Sequence, residues 1–138
     1  MPGLAANDFG DSIRFGAATA AEDEKDLDLV HFDISLYDTY VKGYLEGTGD
    51  VLTQEEKESL PWGARLMTLE CGIRFLTDYL QGDTYFKTAY PEHNLVRART
   101  QFKLWTRWNS SLIKCRKSFK NIVKTFKRGR SKIQFYYV

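Results

Sequence analysis

The chain has 138 residues, 43% of them hydrophobic and 28% charged, with a formal net charge of +2. That is the composition of one ordinary globular domain or part of one, and it argues against disorder. No apolar run approaches the roughly 20 residues that span a bilayer, and the N-terminus lacks the basic start and apolar core of a secretory signal. Cys71 and Cys115 stand far apart without CxxC spacing, so free thiols in a reducing, cytoplasmic compartment are expected.

MPGLAANDFG reads as loop, punctuated by Pro2, Gly3 and Gly10. A short helix is predicted from Ser12, because Ile13, Ala17 and Ala20 share a face at helical spacing. The acidic EDEKDLD stretch reads as a solvated connection, and Val30–Phe32 as the place for a short strand. The next helix has Ser35 as candidate N-cap and Asp38 in its first turn, with an apolar stripe of Tyr37, Tyr40, Val41, Tyr44 and Leu45. Gly47 and Gly49 should end it. Thr53 and Glu56 form a capping-box pattern for a short helix that Pro61 is expected to stop.

The strongest helix is predicted from Pro61 to Gln81, closed by Gly82. Leu66, Leu69, Ile73, Leu76 and Leu80 step along it by three and four residues, broadened by Trp62, Met67, Phe75 and Tyr79, so it should be central to the core. Glu70 and Arg74 break this apolar surface at i, i+4 spacing, which suits either a surface ion pair or the wall of a pocket.

Charge is divided unevenly. Residues 1–92 hold seven basic and eighteen acidic residues, a net of −11; residues 93–138 hold thirteen basic and no acidic ones, a net of +13. A basic segment of this kind fits nucleic acid or an anionic membrane. From Phe102 onward, Trp105, Leu112, Cys115, Phe119, Ile122 and Phe126 trace an apolar stripe, while Lys114, Arg116, Lys117, Lys120, Lys124, Lys127 and Arg128 fill the other faces.

Complete catalytic signatures are missing from the sequence. Asp8-Phe9-Gly10 spells the magnesium motif of protein kinases without the catalytic loop that gives it meaning. Gly-rich phosphate loops and Ser–His–Asp patterns are not found, and His31 and His93 have no partner at metal spacing, which assigns them to packing or surface.

Three strings carry a resemblance: MPGLAANDFGDSIRFGAATAAEDEKDL, LPWGARLMTLECGIRFLTDYLQGDTYFKT and HNLVRARTQFKL. Over residues 1–104 the chain resembles the C-terminal part of N-acetylhexosamine 1-kinases, of the aminoglycoside phosphotransferase and choline kinase superfamily. The resemblance implies a mainly α fold, the C-terminal helical subdomain of a protein-kinase-like enzyme without its ATP-binding lobe. It implies that the catalytic and magnesium aspartates precede the position of Met1, so that the chain is a fragment with no catalytic or metal-binding residue. ATP and magnesium belong to the parent enzyme, whose substrate is an N-acetylhexosamine phosphorylated at its anomeric hydroxyl. Arg74 and Tyr85 match sugar-contacting positions, and Asp11 matches an aspartate that supports the catalytic segment. Ala89, Tyr90 and Val96 depart from the charged residues usual in the family.

The resemblance stops after Leu104. Restoring one nucleotide after Lys103 in a permitted back-translation lets the shifted frame encode KLVDEMEFILDKMQKIVQKYS, an acidic amphipathic helix. Residues 105–138 are therefore expected to be a basic tail of out-of-frame translation. The rival reading is a binding module whose tail engages nucleic acid or anionic membrane; the sequence commits to neither partner.

Overall fold

The computed structural model describes residues 3–48 and 51–133, with side chains through residue 126. Gly49, the termini, and the side chains of Lys127 and Arg128 lie outside the described residues. Four helices make up the fold: α1 (Ala5–Gly16), α2 (Ile34–Thr48), α3 (Gln54–Leu80) and α4 (His93–Ile133). The expected mainly α character is what the chain shows. Among the described residues the segment expected to form a strand makes only an isolated antiparallel bridge, Ala18 with Phe32.

Helix α1 starts at Ala5, seven residues before the predicted Ser12, and Gly10 lies inside it as a buried residue. Helix propensity would disfavour Gly there by about 1 kcal/mol, but α1 crosses α3 at Gly10 and Gly63. A Cβ on Gly10 would strike the Gly63 backbone, and one on Gly63 would strike the Ala6 carbonyl. Only two glycines let the backbones come this close. Ala20 falls beyond the helix, which ends at Gly16.

Helix α2 follows its predicted stripe, with Tyr37, Val41 and Leu45 buried. Its cap is Asp33 and not Ser35: Asp33 Oδ1 accepts from the backbone N–H of Ser35 at 2.7 Å and of Leu36 at 3.2 Å, satisfying two donors of the first turn.

The capping box is real. Thr53 accepts from Glu56 N at 3.2 Å and Glu56 Oε2 accepts from Thr53 N at 2.8 Å. Pro61, however, does not stop the helix; α3 runs through it for 27 residues. An interior Pro forfeits a hydrogen bond and costs about 3 kcal/mol. Here Leu60, Pro61 and Ala64 are all buried, so packing holds the helix together.

The predicted core stripe of α3 holds only in part: Leu69 and Leu76 are half-buried and Phe75 buried, but its other three Leu and Ile members turn outward. Leu66, Ile73 and Leu80 are 55%, 50% and 74% exposed, while Leu60, Gly63, Ala64, Thr68, Cys71, Gly72 and Phe75 face inward. The buried face is the one with small residues. It lets α1 and α4 approach closely, as where Gly72 meets the Phe102 ring, and backbone proximity there outweighs the area of the larger side chains. Gly82 closes the helix as expected, with φ of +92°.

Helix α4 is 41 residues long and passes residue 104 without a break. Its buried face is Ala98, Leu104, Trp108, Cys115, Phe119 and Ile122; Trp105 and Leu112 of the expected stripe are half-buried. The last four of the buried set join Phe9, Ile13, Tyr37, Val41 and Leu60 in the main core cluster, so residues beyond 104 supply much of the apolar interior. Phe9 packs edge-on against Tyr37, Tyr40 and Tyr44, with ring centroids 5.1–6.4 Å apart. A second, smaller cluster of Cys71, Phe75 and Ala98 lies farther along α3, with Leu76, Phe86 and Phe102 against it.

Candidate functional site

The smaller cluster carries the candidate site on its outer side. Helix α3 ends at Leu80, and residues 81–92 fold back so that Tyr85 returns to Arg74, one and a half turns before the helix end. Arg74 Nη2 donates to the Tyr85 hydroxyl at 3.4 Å, and its guanidinium lies 5.5 Å from the Tyr85 ring centre and 5.3 Å from that of Phe86. The two residues assigned to sugar contact therefore share one surface. Tyr85 is 73% exposed, so its ring is not a core aromatic.

Arg74 is the partition between two hollows. One, of about 310 Å³, is lined by Arg74, Thr77, Asp78, Gln81, Tyr85 and Phe86. The other, of about 410 Å³, has Asp11, Glu22, Glu70, Arg74, Lys87 and Arg97 among its lining residues. Glu70 Oε1 sits 3.6 Å from Arg74 Nε, so the i, i+4 pair exists and also lines a cleft. Half-exposed as it is, the pair adds little stability.

Asp11 enters this cleft from α1. Its carboxylate accepts from Arg14 at 3.2 Å (Nη2) and 3.4 Å (Nε). Arg14 is buried and also donates to Glu22 at 2.8 Å and Gln101 at 3.2 Å. Burial alone would pull its pKa down, but the Glu22 hydrogen bond and the charges of Glu22 and Asp11 leave it raised and cationic. Asp11 thus anchors a buried arginine tying α1 to α4. Cys71 lines the same cleft, and its thiol is pushed up to about 11 by burial, against the pull of Arg14. At neutral pH it is a poor nucleophile.

The residue the sequence did not single out is Asp78. It is 3% exposed, and its carboxylate accepts from the backbone N–H of Thr84, Tyr85 and Phe86 at 2.9, 2.7 and 2.9 Å and from Asn94 Nδ2 at 2.8 Å. These bonds fix the loop that carries Tyr85. A single acid near the end of an apolar helix, followed by QGD and then Asn94, was the available signal; only the folded-back loop gives it meaning. His93 likewise has partners: Nδ1 accepts from Ala89 N at 3.1 Å, leaving the Nε2 proton for Asp23 at 3.0 Å. The ring stacks on Tyr90, which is the packing role expected of it. Asp8 stands on the exposed side of α1.

Burial raises the carboxyl pKa of Asp78, but the backbone donors of Phe86, Tyr85 and Thr84 outweigh it and hold the group below the usual range. The folded pKa is depressed, so the stabilisation is present above the unfolded pKa and is lost as pH falls through the carboxylate range. The amides of Thr84, Tyr85 and Phe86 are expected to lose exchange protection on acidification before the helical core does. Asp78→Ala should remove that protection at all pH values and lower Tm by about 5–10 °C. Native-state hydrogen exchange checks this; protection of the three amides unaffected by the substitution would contradict it.

No family model matches the sequence. Among the described residues no helix is long and apolar enough to cross a membrane, and no group of three or more His, Cys, Asp or Glu side chains gathers where it could hold a metal ion.

Proposed function

We propose that the chain is the sugar-binding part of a cytoplasmic kinase that phosphorylates the anomeric hydroxyl of an N-acetylhexosamine, and that it is inactive by itself. The observation that supports this reading most is the juxtaposition of Arg74 and Tyr85 at the boundary of two open hollows. A guanidinium offers a planar fork of donors to hydroxyl and acetamido oxygens. An exposed tyrosine ring offers a flat apolar face to a pyranose and a polar tip to its hydroxyls. Asp78 would keep that ring in place.

The kinase resemblance places the catalytic and magnesium aspartates outside this chain, and the Asp11 carboxylate here is engaged by Arg14. The donor half belongs to a partner segment in this reading, and no transfer step is assigned to this chain.

Titration with N-acetylglucosamine and N-acetylgalactosamine, followed by NMR shifts, tests the reading. Saturable shifts are expected around Arg74, Tyr85 and Phe86. Arg74→Ala should weaken binding about 10- to 100-fold, the effect of removing charge-assisted hydrogen bonds. No saturable shifts at these residues would defeat the sugar assignment. ATP consumption dependent on the sugar by the chain alone would defeat the statement that it is inactive.

A further inference from the structure

The structure changes what the basic helix can do. Its apolar stripe is largely spent, because Trp108, Cys115, Phe119 and Ile122 are locked in the main core. Insertion of that face into a lipid interface would require unfolding the domain. What remains outside is charge. At about 100° per residue, Lys103, Lys114, Lys117, Lys120 and Lys124 fall within an arc of about 120° on the side away from the core, spread over about 32 Å of helix. Four of them are exposed and Lys103 half so. Among the described residues none of the five makes an ion pair; the four ion pairs all lie elsewhere. No acidic residue follows Glu92, so nothing on the helix itself offsets the row. The acidic 22–28 loop hydrogen-bonds α4 at its first turns, through His93 and Thr100, and farther along α4 the one acidic partner among the described residues is Asp38, which accepts from Ser118 at the edge of the row.

From this we infer that the outer face of α4 is a docking ridge for the phosphodiester backbone of duplex nucleic acid, read by charge and not by base sequence. A rigid cationic row held by a packed helix suits a polyanion with regularly spaced phosphates. One exposed aliphatic in the row, Ile113, offers far less apolar area than interfacial membrane helices bury, which decides between the two anionic surfaces. The inference is independent of the sugar reading.

Fluorescence anisotropy with a labelled 20-base-pair DNA duplex of arbitrary sequence, and an RNA duplex of the same length, tests it on the full chain. Neutralising five phosphates predicts a log–log salt slope of about −4.5, so affinity should fall roughly 500-fold between 50 and 200 mM salt. Replacing the five lysines by Gln, all on the surface, should abolish duplex binding at 50 mM salt while circular dichroism and Tm stay those of the parent. Binding of DNA but not RNA, or the reverse, names the duplex and keeps the proposal. Undetectable binding of either duplex at 50 mM salt, equal binding by the five-Gln variant, or binding to phosphatidylserine vesicles without binding to duplexes would overturn it.

Discussion

Gly63→Ala is expected to pry α1 away from α3 and to cost the chain about 2–4 kcal/mol, lowering Tm by about 10 °C. Substituting Ala for Gly in a helix ordinarily gains up to about 1 kcal/mol. At position 63 the new methyl would occupy the place of the Ala6 carbonyl oxygen, and backbone cannot rotate aside as a side chain can. The helices would have to separate along the whole crossing, loosening Phe9 and Ile13 in the main cluster. Gly43→Ala is the matched control, because nothing lies within 4 Å of a Cβ there. It should be neutral or stabilising by up to about 1 kcal/mol. Thermal melts of both variants decide the matter: a Gly63→Ala midpoint equal to that of Gly43→Ala would mean that the helix crossing is not as close as described.

Trp108→Ala should be the most damaging single truncation, at about 3–5 kcal/mol. The indole is 1% exposed and lies 4.1 Å from the Phe32 ring and 5.9 Å from Tyr37, measured between centroids. It joins α4 to α2 and to the chain leading into α2. Total stability of a domain is only about 5–15 kcal/mol, so a loss of this size leaves a partly unfolded population. Trp108→Phe should cost much less, since the buried indole N–H has no hydrogen-bond partner among the described residues and its removal relieves a polar group left dry. Urea titrations compare the three proteins; an Ala variant within 1 kcal/mol of the parent would show that residues beyond 104 add little to the core.

Much of the fold could be read from local signals because those signals are local in origin. The Thr53–Glu56 box needs only four residues, Gly82 needs only a left-handed turn, and the α2 stripe follows from helical period. The errors on α1 and α3 have a common cause. Gly10 and Pro61 are breakers by intrinsic preference, yet both sit inside helices because a neighbouring helix makes their positions favourable. The same neighbours select the small-residue face of α3 for burial, which turns Leu66 and Ile73 outward against their hydrophobicity. In the site, Arg74 and Tyr85 meet because residues 81–92 fold back, which no local pattern shows. Asp78 escaped notice because an isolated acid near a helix end looks solvated until residues 84–86 return to cover it.

The long α4 has a bearing on when the interior can form. Tyr37 packs edge-on against Trp108, 71 residues downstream, and Val41 shares the main cluster with Phe119 and Ile122, so this part of the interior has no lid until α4 has been translated. A nascent chain on the ribosome would carry that surface uncovered until α4 emerges, and closure would wait on contacts of large sequence separation, which are the slow ones to make. Holdase chaperones would find their substrate in that interval, before α4 settles.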